Sequence, residues 1–138
     1  MMATPICTGT VNGSPVRFFR SPLNDGRPDF PWIAWGDLTD AYPLSAAKKA
    51  VFFQRLHADW PDIPRTVATA DGVVTLVPHF AAQGFTSAMT ECLGIDAEKE
   101  YALGAGEALK IVTAHLSFPD GVLCFARDAM RGWDGGAA

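Results

Sequence analysis

The stretch from Val11 to Tyr42 constrains this chain most, because its turn chemistry leaves few choices. Asn12-Gly13 stands between a Thr10-Val11 run and an alternating Val16, Phe18 run, and a tight hairpin turn demands two such residues that tolerate positive φ. Two antiparallel strands are the expectation. After a Pro- and Gly-rich loop, Pro31-Trp32-Ile33-Ala34-Trp35 reads as a third extended and largely buried run. Gly36-Asp37 then marks the switch into a short helix carrying Leu38, Ala41 and Tyr42.

Ser45 is a suitable N-cap for a helix reaching about Trp60, with Ala46, Ala50, Phe53, His57 and Trp60 recurring at three- and four-residue spacing. Pro61 and Pro64 stop it. Arg65 to Thr69 and Val73 to Val77 flank Ala70-Asp71-Gly72, a second hairpin signal, and the two hairpins can share one sheet. Pro78 suits the first turn of a helix that ends near Gly94, and Asp96 can cap another from Ala97 to about Leu116. Within that last helix Gly104 and Gly106 either break it or let a neighbour approach closely. Val122 to Met130, introduced by the turn Pro119-Asp120-Gly121, reads as a helix or as a strand followed by a helix, and 134–138 as a frayed tail. The expected fold is α+β: one domain over 1–138, with a small antiparallel sheet of two hairpins packed against three to five helices.

A chain of 138 residues, 49% hydrophobic and 19% charged, has the size and composition of one folded domain. No apolar run approaches the roughly 20 residues that span a bilayer, and the N-terminus lacks a basic start with a long apolar stretch, so no membrane partner and a cytoplasmic location are expected. Cys7, Cys92 and Cys124 lack CxxC spacing and read as free, mostly buried thiols. His57, His79 and His115 have no second ligand type at helical spacing, so neither metal nor cofactor is expected. A nucleophile would need Cys92 or Cys124 to meet His79 or His115 in space; a cysteine enzyme is the weakest reading. No catalytic residue is assigned. Asp37 and Asp40 share a face at a helix start, where carboxylates complement the dipole.

The net charge of -4 argues against strong nonspecific DNA binding, yet its distribution is uneven. Met1 to Thr66 holds 7 basic and 6 acidic residues, and Val67 to Ala138 holds 4 and 9. Arg17 and Arg20 on a strand, Arg27 in the loop, and Lys48, Lys49 and Arg55 on the long helix are therefore the candidate binding residues, able to grip phosphates or a partner from one surface. Trp32 and Trp35 fall on opposite faces of the extended run, both as packing residues or with one turned to a partner. Such aromatic content in a small domain suits a homodimer.

Pro31-Trp32-Ile33-Ala34-Trp35-Gly36-Asp37-Leu38, following a hairpin and preceding TADGVVTLVPHF, resembles the Bro-type N-terminal domain of phage antirepressors and baculovirus repeated-ORF proteins. The likeness runs from about Thr8 to Met89. Pro78-His79 departs from it, standing where the family often opens a helix with an acidic residue, and the helical part from about 95 diverges. The resemblance implies a small regulatory protein of prophage or mobile-element type that acts by binding DNA or a DNA-binding protein. The alternative is a protein-interaction module or inhibitor that uses the acidic second half.

Overall fold

The computed structural model describes residues 2–23, 29–114 and 118–136. Strands β1 (Cys7–Val11) and β2 (Ser14–Phe19) form the first hairpin, and Asn12 and Gly13 adopt φ of 50° and 79°. The Asn12 side chain also fastens the turn to the body, its Nδ2 donating to the Ala41 carbonyl at 2.8 Å. Strand β3 (Trp32–Ala34) is shorter than expected, because Trp35 already opens α1 (Trp35–Asp40). That early switch drops the Trp35 ring edge-on against Phe85, with centroids 5.0 Å apart.

Ser45 caps α2 (Ala46–Asp59), accepting from the Lys48 N–H. Its inward stripe is not the expected Ala46, Ala50, Phe53 and His57: Leu56 is the one fully buried residue of the helix, flanked by half-buried Phe52 and followed by Trp60. Three apolar residues in a row, Val51-Phe52-Phe53, give no preferred phase. Phe52 wins because its ring meets Phe85 edge-on at 5.4 Å, while Phe53 stays 43% exposed.

The second hairpin joins β4 (Arg65–Thr69) to β5 (Gly72–Val77) through Ala70-Asp71, with the Thr69 hydroxyl donating to the Gly72 carbonyl. Both hairpins meet at β3, giving the all-antiparallel order β1-β2-β3-β5-β4. Helix α3 (His79–Leu93) follows Pro78 and ends at Gly94, whose φ of 69° is the left-handed cap that glycine adopts at no steric cost. Helix α4 (Glu98–Val112) begins one residue later than expected, and Asp96 still accepts from the Glu98 N–H. Helix α5 (Phe118–Gly136) resolves the open choice at Val122 to Met130 in favour of helix. Pro119-Asp120-Gly121 is not a separate turn but its first turn, where proline's missing N–H costs nothing and a carboxylate suits the dipole. Of the tail, 134–136 belongs to α5 and 137–138 lies outside the described residues.

The sheet is covered on both faces. Val11, Val16, Phe18, Ile33 and Val77 join Leu38, Phe85, Met89 and Tyr101 in the larger core, and Phe19, Trp32, Ala34 and Leu76 form a smaller cluster on the reverse. Burying each such large side chain contributes about 1.5–3 kcal/mol, which makes these clusters the main support of the fold. Trp32, on β3, and Trp35, in the first turn of α1, belong to the two different clusters, and both are buried.

Candidate partner-binding surface

Three of the candidate cations, Arg17, Lys49 and Arg55, stand next to carboxylates of this chain. Arg17, projecting from β2, grips Asp37 of α1 twice, Nε to Oδ2 at 2.7 Å and Nη2 to Oδ1 at 3.0 Å, and its backbone N–H donates to Oδ2 as well. Asp71, in the β4–β5 turn, stands 3.9 Å from the same guanidinium. The hydrogen bonds to Asp37 raise the Arg17 pKa further. Lys49 Nζ meets Asp40 Oδ1 at 2.7 Å, and Arg55 Nε approaches Asp59 at 3.6 Å one helical turn away. Asp37 lies in the first turn of α1 as expected, whereas Asp40 is the last residue of that helix, where a carboxylate does not complement the dipole; both serve as counterions to the first two cations. Arg20 and Lys48 are exposed and have no carboxylate partner among the described residues. Arg27 lies outside the described residues.

Helix α2 divides this surface. On one side Arg17, Asp37 and Lys49 border a groove of about 370 Å³ floored by Trp35 and Val74 and walled by Phe53. Arg55 opens instead onto a separate groove of about 360 Å³ on the other side, beside Trp60 and Phe85. The structure therefore brings Arg17 and Lys49 together and turns Arg55 away from them. Arg20, just beyond the end of β2, borders neither groove.

A second cluster, not anticipated from the sequence, ties the C-terminal helix to the sheet. Arg131 of α5 donates to both oxygens of Asp29, at 3.0 and 2.6 Å, and its guanidinium lies 5.4 Å from the centre of the Trp32 ring. Asp29 in turn accepts from Trp32 Nε1 at 3.4 Å. The Asp29 side chain is 3% exposed and that of Arg131 10%. Asp128, one turn back on α5, is also buried; its Oδ1 sits 3.9 Å from Arg131 with no hydrogen-bond donor.

Burial pushes the Asp128 carboxyl up to about 6, the Asp29 charge adding to the rise while Arg131 and the Phe80 N–H oppose it. The folded chain thus holds a proton that the unfolded chain releases near the ordinary carboxylate range. This group's stabilisation is complete below about pH 4 and is lost as pH rises through about 6. His79 works the other way, since burial lowers its pKa and its contribution is lost as pH falls. Asp128→Asn removes only the first effect. Moved from about pH 7 to about pH 5, the variant is expected to lose roughly 4 °C of melting temperature relative to the parent, read by circular dichroism.

The histidines and cysteines separate clearly. His79 Nδ1 lies 2.7 Å from the Tyr101 hydroxyl, with the two rings nearly parallel at 13°. His57 hydrogen-bonds the Phe53 carbonyl of its own helix and rests on the Phe53 ring. His115 lies outside the described residues. Cys92 is exposed rather than packed on an apolar stripe, because α3 turns Met89 inward and the next residues outward. Cys124 is buried, and desolvation pushes its thiol up to about 12, the reverse of what a nucleophile needs. Among the described residues, no group of three or more His, Cys, Asp or Glu is arranged to hold a metal ion, and no helix is long and apolar enough to cross a membrane.

Comparison with protein-family models, curated proteins and solved structures finds no match to this chain.

Proposed function

We propose that this chain is a non-enzymatic regulatory domain of the Bro type, from a prophage or mobile element, that acts in the cytoplasm by binding a DNA-binding regulator rather than the duplex. What carries the reading is the pairing of Arg17, Lys49 and Arg55 with Asp37, Asp40 and Asp59, since phosphates would have to displace bound carboxylates to reach these cations. A protein surface can instead use the groove between α2 and β5, where an apolar floor lies between paired charges. The succession of hairpin, short strand, helix, helix, hairpin and helix supports the family reading. The homodimer expected from the aromatic content belongs to the same proposal, and α5 supplies an exposed apolar strip in Val122, Phe125 and Met130.

A salt titration separates the two kinds of partner. Duplex DNA titrated across about 50 to 200 mM salt should show at most weak binding, with a log-log slope no steeper than about -2, because among the described candidate cations only Arg20 and Lys48 stand without a carboxylate partner. A DNA-binding repressor encoded beside this chain should co-purify with it, and Phe53→Asp should abolish the complex. Tight duplex binding with a slope of about -5 or steeper would overturn the protein-partner reading.

A further inference from the structure

Away from the α2 grooves, a cavity of about 240 Å³ lies between the Phe30-Pro31 segment, the first turns of α3 and the inner face of α4. Three rings, those of Phe30, His79 and Tyr101, form part of its wall. Phe30 stands edge-on to His79 at 5.3 Å and 73°, and His79 lies parallel to Tyr101. Glu98 is the single carboxylate on the lining, and no Lys or Arg is among the described lining residues. The Thr90 hydroxyl lies 3.1 Å from both Glu98 Oε2 and the Thr86 carbonyl and shares its one proton between these acceptors, so the Glu98 carboxylate keeps capacity for a further donor. Thr86 and Gln83 complete the polar part, with the Thr86 hydroxyl already donating to the Gln83 carbonyl.

We infer that this cavity is a binding site for an organic cation, an ammonium or guanidinium on a short apolar stem, whose charge meets Glu98 while the stem lies among Phe30, His79 and Tyr101. The volume suits one ring or one long side chain and is below that of drug-sized pockets, which run from roughly 300 Å³ upward. The rings give the apolar stem a surface to pack on, and the carboxylate within the same cavity offers the ammonium or guanidinium a charge-assisted hydrogen bond. An anion is disfavoured by the same carboxylate. Burial keeps His79 neutral, so the imidazole adds no positive charge to compete with the ligand. The cation can come from a free amine or from a Lys or Arg side chain of a protein. The site is independent of the regulator-binding reading, because its residues lie on α3, α4 and the Phe30 segment instead of α2.

The test is a two-dimensional NMR titration of the full chain with benzylammonium, benzyl alcohol, benzoate and a capped Ala-Arg-Ala peptide. Benzylammonium or the peptide should move the resonances of His79, Glu98 and Tyr101 at millimolar concentration, with benzyl alcohol and benzoate at least about tenfold weaker. Tighter binding of the peptide points to a protein side chain, and tighter binding of benzylammonium to a free amine; either carries the inference. Glu98→Gln keeps an acceptor for Thr90 and should weaken the cations by about tenfold while leaving benzyl alcohol unchanged. The inference is overturned if neither cation moves these resonances, if benzyl alcohol or benzoate binds as well as the cations, or if Glu98→Gln leaves cation binding intact. Because Glu98 is partly exposed and the Gln variant is isosteric, its amide spectrum serves as the check that the fold persists.

Discussion

Replacing Arg131 by alanine is expected to cost about 3–5 kcal/mol of folding stability, measured by urea unfolding, because it leaves buried carboxylates without their cation. Asp29 would lose both donors of its bidentate pair, and Asp128, already without a hydrogen bond at Oδ1, would lose the positive charge that holds its pKa down. The two carboxylates would then face each other across the gap. Asp29→Asn is the informative contrast. It leaves Arg131 beside Asp128 and keeps a side-chain oxygen for Trp32 Nε1, so roughly half the loss or less is expected. Lowering the pH should recover part of the Arg131→Ala loss by protonating Asp128, whereas a purely steric defect would not respond. Equal losses for the two variants, within about 0.5 kcal/mol, would show that the cluster is not held by charge pairing.

That ion pair also marks the boundary of what the chain reveals by itself. Local chemistry was readable: Asn12-Gly13 and the residues before Gly72 form their turns, Ser45 caps its helix, and Gly94 ends the next one. Each of these depends on a few adjacent residues and on backbone angles they tolerate. Asp29 and Arg131 are 102 residues apart, and no spacing rule links them. The pairing of candidate cations with carboxylates was hidden for the same reason. Arg17 and Asp37 come from a strand and a helix that meet only after β2 and β3 have paired, and Lys49 meets Asp40 across the Tyr42-Ser45 connection. A list of basic residues carries no information about which carboxylate will face them. The phase of α2 was likewise misassigned to Phe53, because the ring of Phe85 on α3 that draws Phe52 inward is distant in sequence.

Glycine gives the sharpest case of equal residues with opposite roles, and the second large effect. Gly104 and Gly106 were indistinguishable as helix-weakening residues, yet α4 lies on β1 through only one of them. A Cβ on Gly104 would stand 3.0 Å from two atoms of the Phe18 ring, and a Cβ on Gly9 would stand 3.1 Å from Gly104 Cα and 3.0 Å from the same ring. Phe18 is fully buried, and the Gly104 backbone can yield only by shifting the helix. Gly9→Val is therefore expected to destabilise by about 3 kcal/mol, the upper end of ordinary overpacking, and Gly104→Ala by about 1 kcal/mol after its gain in helix propensity is subtracted. Gly106 meets nothing within 4 Å, so Gly106→Ala should stabilise by about 0.5–1 kcal/mol. Thermal unfolding of the three variants reads both size and sign. If Gly104→Ala and Gly106→Ala stabilise alike, the strand and helix are not in backbone contact, and the seam joining the first hairpin to α4 is looser than described.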